Sequence, residues 1–554
     1  MNPAAPSPAG EEPSRAPRHH RVPGLARLSR IPRQVARRTP FRGDLLPARI
    51  PLFSLSPRPS LPFPHPWNYR EPLRILETFF AGAEADPAPA RHNRYLDVPG
   101  FAPVLVTRDP RLIRAISSDT GEKPGQFDRD TLPTAGIARA TGADTLLYAN
   151  GPDWRTQKRL AAPPFARTTL FQPERFHDFE RTFRETIAQR LDAVRRRAHE
   201  TGAPVRVRLE DEIKPLMLEM LVNTFFGADV PADEIRDTYV PAIDLVIDRI
   251  VRDTVLNRLG LPLRRLPALT RGIAEARAAS ETFEHLTDLV LATRLESRGQ
   301  WCHFRSDAPD DALRGNIRVF LAGALEATTS FASWALSHLA RDHVAQQTLF
   351  DEIREANDFT PEALARSPIL SAVLDETLRL TPSLYFHPRR ASADTTVTLS
   401  NGESLFIPRG THILLDVWHA NRHEDHWGVA ATGFPADTFA HQRWARLRAE
   451  NRGDLLHFGF GHGPRFCPGK NLGEIEVALV VAACVKLFRF SAATPHTTPR
   501  AGVSTKPSDG VLVDLMPRSS SSQAPPSAHA PTTERPDGPP TAPPSSCPFH
   551  AREG

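Results

Sequence analysis

The stretch that decides the fold runs from Phe458 to Lys470 and reads FGFGHGPRFCPGK. It places Cys467 in a glycine-rich loop that opens onto an apolar helical run. A single cysteine with no second cysteine or histidine at ligand spacing makes a poor zinc site. A metal that needs only one protein ligand suits the loop better, and haem iron is the main candidate.

The other residues of this loop have side chains suited to a flat, acidic cofactor. Gly461 and Gly469 let the backbone lie close against a macrocycle, where a Cβ would collide. Arg465 offers a planar cationic group for a carboxylate, and Phe460 can keep water away from the sulfur. A helix is predicted from about Lys470, and its N-terminal dipole is expected to favour thiolate over thiol.

The segment from Phe460 to Gly469 fits the pattern F-x-x-G-x-R-x-C-x-G at every specified position. It resembles the haem-binding signature of the cytochrome P-450 family, the haem-thiolate monooxygenases. The resemblance implies haem b, iron-protoporphyrin IX, with Cys467 as the axial ligand of the iron. Phe460, Gly461, Arg465 and Gly469 are then cofactor-binding residues. The alternative is a structural cysteine in a chance glycine turn.

Three charged residues are predicted to support the fold rather than the chemistry. Glu376 and Arg379 form an E-x-x-R pair on one helical face. In the family this pair joins a later arginine, here Arg443, and the three buried charges satisfy one another on the haem side of the core. Taken alone, E-x-x-R would indicate an exposed helical ion pair.

Further basic residues are expected at the haem propionates by resemblance. Trp154 is followed four positions later by Lys158, with Arg159 next to it. Adjacent helical residues point about 100° apart, so only one of the two can face the haem. Register favours Lys158, with Arg159 as the rival. Arg389 resembles the propionate-binding arginine that follows the E-x-x-R helix. Any of these residues alone would indicate a solvated surface charge.

A long predicted helix contains AGALEATT, residues 322 to 329, which resembles the family's oxygen-binding groove. Glu326 aligns with the acid of the family's acid–alcohol pair, which relays protons to bound dioxygen. Ala327 stands where the threonine is expected, so the first hydroxyl belongs to Thr328. The alternative is a surface acid at 326 and a Thr328 that hydrogen bonds back to its own helix.

Composition is that of a globular protein, with 40% apolar and 24% charged residues among 554. The net charge of +5 is modest, and no basic stripe alternates with aromatic residues, which argues against nucleic-acid binding. The four cysteines are too few and too scattered for a disulfide framework or an iron–sulfur cluster. They suit a reducing compartment.

The predicted fold is mainly α with small β-sheets, a single large haem-binding domain of cytochrome P-450 type over residues 67–516. Residues 1–66 form a Pro/Arg-rich leader, disordered or draped over the domain, and residues 517–554 form a disordered Ser/Pro-rich tail. Residues 124–150 are expected to be a connection without regular structure. Asp109 is expected to cap a helix, and Asp351 to Ala356 to be helical.

The first fifty residues contain no apolar core for a signal peptide or transmembrane anchor. By comparison with anchored microsomal members of the family, this favours a soluble, bacterial-type member, monomeric and cytoplasmic. The leader is also Arg-rich and poor in acids, which leaves a transit peptide as an alternative.

The resemblance implies a monooxygenase that inserts one oxygen atom from dioxygen into a hydrophobic small molecule, by hydroxylation or epoxidation. Electrons would come ultimately from NAD(P)H, through a reductase and a ferredoxin or flavodoxin-type donor. One alternative is a haem-thiolate peroxygenase or peroxide isomerase that needs no reductase. Another is a non-catalytic haem gas sensor. The acid at Glu326 favours the monooxygenase.

Overall fold

The structure of this chain is a computed structural model. It describes residues 46–47, 73, 76–77, 80, 91–96, 104–120, 126–130, 141–142, 144–247, 267–296, 299, 310–356, 363, 366–399, 401–452 and 457–518.

Helices provide most of the described structure, and their ends follow local chemistry. The Asp109 carboxylate accepts hydrogen bonds from the backbone N–H groups of Arg111 and Leu112, so the predicted cap is confirmed. The longer helices are α1 (Pro110–Ser118), α2 (Gly151–Ala161), α3 (Pro173–Thr201), α4 (Leu209–Glu219), α5 (Pro267–Ala292), α6 (Asp310–Arg341), α7 (His343–Ile353), α8 (Pro368–Leu380), α9 (Gln442–Ala449) and α10 (Lys470–Leu487).

Helix α6 lies at the centre of the main hydrophobic core and packs against α4, α8 and α10. The stretch Leu313–Arg341 is long and apolar enough to cross a membrane by length and composition alone. In the structure 67% of its most apolar window is buried by the rest of the chain. It is therefore a core helix of this fold.

Four small sheets flank the helices. The largest has the strand order β1-β2-β3-β9-β6-β4, a second has the order β10-β13-β5, and β7-β8 and β11-β12 are hairpins. The strands are β1 (Leu46–Pro47), β2 (Asn93–Leu96), β3 (Val104–Thr107), β4 (Phe127–Arg129), β5 (Val205–Arg208), β6 (His387–Ala391), β7 (Thr395–Thr398), β8 (Ser404–Ile407), β9 (His412–Leu415), β10 (Phe488–Ala492), β11 (Pro499–Ala501), β12 (Thr505–Pro507) and β13 (Leu512–Pro517).

Two local predictions are confirmed only in part. The predicted connection 124–150 contains strand β4, which pairs antiparallel with β6. A three-residue strand is too short to show alternation, and its partner lies far away in sequence. Residues 351–353 are helical as predicted, but they are the end of α7, which begins at His343 and ends at Ile353. The Asp342 carboxylate accepts a hydrogen bond from Ala345 N–H and so starts that helix earlier.

The described residues include parts of both predicted terminal segments. Leu46 and Pro47 pair in parallel with Arg94 and Tyr95, which adds an edge strand to the large sheet. At the other end, β13 extends through Pro517. The rest of the leader and residues 519–554 lie outside the described residues.

Candidate active site

The cysteine loop connects α9 to α10 and is closed by its own backbone. The N–H of Cys467 donates to the carbonyl of Phe460 at 3.0 Å, and the N–H of Gly461 donates to the carbonyl of Phe458 at 2.9 Å. Gly463 has a φ of +72°, and a Cβ there would lie 2.3 Å from the Ser117 carbonyl at the end of α1. Only glycine allows the loop to approach that helix so closely.

The sulfur of Cys467 lies in a desolvated position. Burial raises the pKa of the Cys467 thiol to about 11, and a hydrogen bond from the backbone N–H of Gly469 offsets this only in part. The N–H of Gly469 at the start of α10 favours the thiolate, as expected, but desolvation outweighs it in the polypeptide alone. A metal cation bonded to the sulfur would reverse this balance, because a coordinating thiol is deprotonated.

Three guanidinium groups lie close together beside this loop. Arg129 and Arg389 are cross-strand partners in β4 and β6, and Arg465 belongs to the loop itself. Arg389 and Arg465 are 2% and 9% exposed. Burial and the charge of Arg129 lower the pKa of Arg465 to about 9, and burial and both neighbouring charges lower the pKa of Arg389 well below its ordinary value.

The same three side chains are under-satisfied. Their Nε atoms are buried without a hydrogen-bond partner, as is Nη1 of Arg465. Arg465 bonds through Nη2 to the Ala149 carbonyl and to the Asn150 side chain at 2.8 Å, but among the described residues none of the three arginines has a carboxylate partner. Buried cations without counter-charges are costly, so the arrangement is complementary to a group with several negative oxygens.

Helix α2 extends this cationic region. The Trp154 ring is buried, with the guanidinium of Arg465 4.6 Å and the ammonium of Lys158 4.9 Å from its centroid. Lys158 Nζ also donates to the Pro464 carbonyl at 3.4 Å. Arg159 is exposed, about 100° around the helix. The structure thus brings Trp154 and Lys158 to the cysteine loop and does not bring Arg159 there.

The three predicted structural charges are in direct contact, and all are fully buried. Arg379 donates two 2.8 Å hydrogen bonds to Glu376, and Arg443 Nε donates a third at 3.2 Å. The Trp444 indole N–H and the Ala440 backbone N–H donate to the same carboxylate at 3.0 Å. Burial alone would raise the pKa of Glu376, but the two arginines lower it, so the carboxylate stays ionised.

This charge cluster also supports the cysteine loop. Arg379 Nη1 donates to the Asn421 carbonyl at 2.8 Å, and the Asn421 side chain accepts the N–H of Phe458 at 3.0 Å. A Cβ at Gly459 would lie 2.9 Å from Cβ of Leu378 on α8. The helix that carries Glu376 therefore fixes the start of the loop that carries the cysteine.

Helix α6 presents a groove of small residues. Gly323 is exposed, and a Cβ there would meet nothing within 4 Å. Ala324 and Ala327 lie on the same side of the helix and are half-buried. Farther along α6, the Phe331 ring meets the Phe460 ring edge-on at 6.3 Å, so the helix also contacts the cysteine loop.

Glu326 lies beside this groove, but its carboxylate is bound elsewhere. Its Oε1 is 2.8 Å from Lys506 Nζ on β12 and 3.4 Å from Lys214 Nζ on α4, and its Oε2 accepts from the Ser504 hydroxyl at 2.8 Å. Lys214 pairs in turn with Asp244. Burial alone would raise the pKa of Glu326, but the two ammonium groups lower it to about 2.

Thr328 hydrogen bonds back to its own helix, which was the alternative to a role in proton relay. Its hydroxyl donates to the Ala324 carbonyl at 2.6 Å, one turn earlier in α6, and its methyl group faces Gly473 of α10. A threonine in this rotamer satisfies its proton within its own helix. The expected role of Thr328 as a relay donor is therefore at odds with this conformation.

Comparison with known proteins places this geometry in a family. A family model described as cytochrome P-450 matches residues 97–513. The chain belongs to the cytochrome P-450 family. A family member is a haem-iron monooxygenase, an oxidoreductase that works with a redox partner on a small-molecule substrate.

Three P-450 relatives illustrate the range of similarity. Probable cytochrome P-450 313a2 of Drosophila melanogaster is 24% identical over 430 residues, which cover 73% of this chain and 81% of the relative. A cytokinin hydroxylase of Arabidopsis thaliana is 25% identical over 395 residues, 67% of this chain and 71% of that protein. Cytochrome P-450 monooxygenase ptmK of Penicillium ochrochloron is 32% identical over 211 residues, 36% and 40% respectively. These relatives are eukaryotic, and the soluble bacterial type stays a prediction.

The residues around Cys467 fit the haem that a P-450 binds. The orphaned guanidinium nitrogens of Arg129, Arg389 and Arg465 suit the two carboxylates of a propionate-bearing macrocycle. Gly323 of α6 faces open space, since a Cβ there would meet nothing within 4 Å. The thiol, which needs a cation to ionise, suits iron.

Sequence reasoning missed several members of this site. Arg129 lay in a segment predicted to be a connection, and its proximity to Arg389 depends on a strand pairing that no local pattern shows. Lys506 and Lys214 are separated from Glu326 by 180 and 112 positions. A clue was available for them, since the chain has only six lysines.

Proposed function

We propose that this P-450 inserts one oxygen atom from dioxygen into a hydrophobic small molecule, by hydroxylation or epoxidation, with electrons from a separate redox partner. The observation that carries the proposal is Cys467 in its glycine loop beside three guanidinium groups that have no carboxylate partner among the described residues. Haem held through a cysteine sulfur supplies dioxygen binding and electron density that promotes O–O cleavage.

The chain's own residues would hold and shield this cofactor. The Cys467 sulfur would bond the iron. Arg129, Arg389 and Arg465 would bind the propionates as bidentate donors, which would neutralise a charge cluster that otherwise repels itself. Lys158 is placed to add a further ammonium group, and the apolar ring of Phe460 would keep water from the sulfur.

The substrate would lie along α6. Gly323, Ala324 and Ala327 leave space beside the helix and offer no polar side chain. Transfer of a hydrophobic molecule from water into this groove would therefore be favourable. Small residues also allow a C–H or C=C bond to come close to the cofactor. Positioning of that bond, rather than polar recognition, would then determine which atom is oxidised.

Proton delivery in this chain would depend on Glu326. Its carboxylate is ionised at neutral pH and is held by Lys506 and Lys214, so it can accept protons and pass them on only when it turns away from those ammonium groups. Ala327 has no hydroxyl, and Thr328 donates to Ala324. Ordered water or a hydroxyl of the substrate would carry the proton across the groove.

That arrangement favours one second candidate function, a haem-thiolate peroxygenase. Peroxide brings its own protons and electrons and needs neither a threonine relay nor a reductase. Product formation that is as fast with hydrogen peroxide alone as with a ferredoxin and its reductase would support the peroxygenase. Turnover that requires the redox partners would support the monooxygenase.

The surface beside the cysteine loop suits an acidic electron donor. Phe466 is 41% exposed, with the Lys470 ammonium 5.8 Å from its ring, and Arg159 is exposed on nearby α2. A cationic surface with an apolar centre attracts an acidic partner and orients it. This supports a ferredoxin or flavodoxin-type donor that is reduced by an NAD(P)H-dependent reductase. The cytoplasmic location and the monomeric state stay predictions.

The decisive test is a ferrous–carbon monoxide difference spectrum of the purified, haem-loaded chain. The native protein is expected to show the long-wavelength Soret peak of a thiolate ligand. Cys467→Ala should abolish that peak, and Cys484→Ala should keep it, because Cys484 is buried on α10 away from the loop. Absence of the peak in the folded, haem-loaded native chain would contradict the proposal, and so would an unchanged spectrum of Cys467→Ala.

A further inference from the structure

A second group of ligating side chains lies away from the cysteine loop, where β2 begins near the segment that follows β9. His92 immediately precedes β2, and His423 precedes the short helix Glu424–Trp427. The Nε2 atoms of the two histidines are 3.0 Å apart. Asp425 completes a group whose ligating atoms all lie within 4.8 Å of one another. Nothing in the P-450 chemistry proposed above uses these residues.

The two imidazole rings converge rather than meet end to end. Their centroids are 4.0 Å apart at an interplanar angle of 43°. In a linear N–H···N bond between two ring tips, the distance between the ring centroids would exceed the distance between the nitrogens by about 2 Å. Here the centroids are 4.0 Å apart and the nitrogens 3.0 Å apart, which is a smaller difference. The rings therefore lie partly side by side, with both Nε2 atoms at adjoining corners.

This spacing is that of two nitrogens on one metal ion. With metal–nitrogen bonds of about 2.0–2.1 Å, nitrogens 3.0 Å apart subtend an angle of about 95° at the ion. That angle is close to two neighbouring positions of an octahedral or square-planar ion. If the two nitrogens moved about 0.3 Å farther apart, the nitrogen–metal–nitrogen angle would be tetrahedral.

We propose that His92, His423 and Asp425 form a binding site for a divalent transition-metal cation that prefers nitrogen ligands, such as Zn²⁺. The two histidines supply imidazole nitrogens and the aspartate supplies a carboxylate oxygen, and water completes the coordination. His423 is buried, His92 is half-buried and the Asp425 side chain is 73% exposed. The site is therefore anchored in the fold and open to solvent on its carboxylate side.

Carboxylates and cations both lie near the two histidines. The carboxylates of Asp425 and Asp109 add negative charge, and the nearby Arg108 is already paired with Asp416 at 2.8 Å.

One rearrangement accompanies binding. His423 Nδ1 accepts the N–H of Asp425 at 3.2 Å, which places the ring proton on Nε2, where it points to His92. A metal at Nε2 requires that proton to move to Nδ1, within 4.0 Å of the Asp425 carboxylate, and the hydrogen bond from Asp425 N–H to Nδ1 is then broken. His92 already presents its Nε2 lone pair. The plain alternative is a histidine–histidine hydrogen bond with no metal, and the following test separates the two.

The test measures zinc bound by the full-length, haem-loaded chain without an affinity tag. Protein stripped with a chelator is dialysed against low micromolar free Zn²⁺ with excess Mg²⁺, and metals are then counted by elemental analysis. His423→Asn keeps a side-chain oxygen to cap the following helix, and His92→Gln keeps a polar group of similar size. His199→Gln, an exposed histidine on α3, is the matched control.

The native chain and His199→Gln are expected to retain about one zinc more per polypeptide than His92→Gln or His423→Asn, with at least tenfold weaker binding in those two variants. Asp425→Asn should also weaken binding. Zinc should raise the unfolding temperature of the native chain and not that of His92→Gln, because the ion joins two distant segments. Equal zinc in the native chain, His92→Gln and His423→Asn would overturn the site, and so would unaltered affinity in Asp425→Asn.

Discussion

A single carboxylate, Glu326, connects α6 to β12 and α4 through Lys506 and Lys214. The three charges are largely buried, and the ionised carboxylate of Glu326 offsets the two ammonium groups, which repel each other. The pKa of Glu326 lies near 2, below its ordinary value of 4.5. Its contribution to stability is therefore complete above about pH 4.5 and is lost as the pH falls towards 2.

Glu326→Gln should remove this acid-dependent stability. We expect the variant to be less stable than the native chain at pH 7 by about 3 kcal/mol, since Lys506 loses its ion pair with Glu326 while Lys214 retains its pair with Asp244. The difference should shrink as the pH is lowered from 4.5. Urea unfolding of both proteins between pH 7 and pH 3 measures it, and parallel stability curves over that range would contradict the assignment.

Individual residues differ in how far sequence could place them. Cys467 and the Glu376–Arg379 pair stand in local patterns whose spacing already determines their neighbours. Arg129 and the lysine partners of Glu326 become neighbours only through strand pairing and helix packing. The hydroxyl of Thr328 could not be assigned at all, since a side-chain torsion decides between its own helix and the groove.

At the scale of elements, the cysteine loop and α1 meet through a glycine. Gly463 has a positive φ, and any side chain would collide with the carbonyl of Ser117. This contact sets the distance between the loop and the sheet that carries Arg389. A change there should therefore disturb both the stability of the fold and the retention of cofactor.

Gly463→Ala is expected to lower the free energy of unfolding by about 2–4 kcal/mol, from backbone strain and the displaced loop together. Gly402→Ala is the matched control. Gly402 also has a positive φ, but a Cβ there would meet nothing within 4 Å. It should cost only about 1 kcal/mol for the strained backbone. Urea unfolding with the haem content of each variant measures both effects, and equal losses would show that the contact with Ser117 is unimportant.

Helices with strong local signals were predictable as elements. The cap at Asp109 and the apolar periodicity of α6 are properties of adjacent residues. Strand β4 was missed because three residues carry no period, and its partner β6 lies about 260 positions away. The start of α7 was predicted too late, at Asp351, although the cap at Asp342 follows directly on the end of α6.

For the whole molecule, the last strand of the fold pairs with a segment from the middle of the chain. Strand β13 is the middle strand between β10 and β5, and its partners in β5 are more than 300 positions away. Such pairings cannot be read from local sequence, although the family resemblance implied the mixed architecture that contains them.

A chain that ends after Val511 should not fold stably, because it loses both ladders of β13. The expected loss exceeds about 5 kcal/mol, comparable with the total stability of many domains. A chain that ends after Arg518 keeps every described strand and should show the native carbon monoxide spectrum. Gel filtration and thermal unfolding of the two chains check this, and similar unfolding temperatures would contradict it.

The cluster of positive charges formed by Arg129, Arg389 and Arg465 has a consequence for the cell. Ligands that bind only the folded state increase its population. Haem carries two propionates that would neutralise this repulsion, so it should stabilise the folded state strongly. Newly made polypeptide would then either bind haem or be degraded by proteases. The amount of mature enzyme would consequently follow the rate of porphyrin synthesis more closely than the rate of translation.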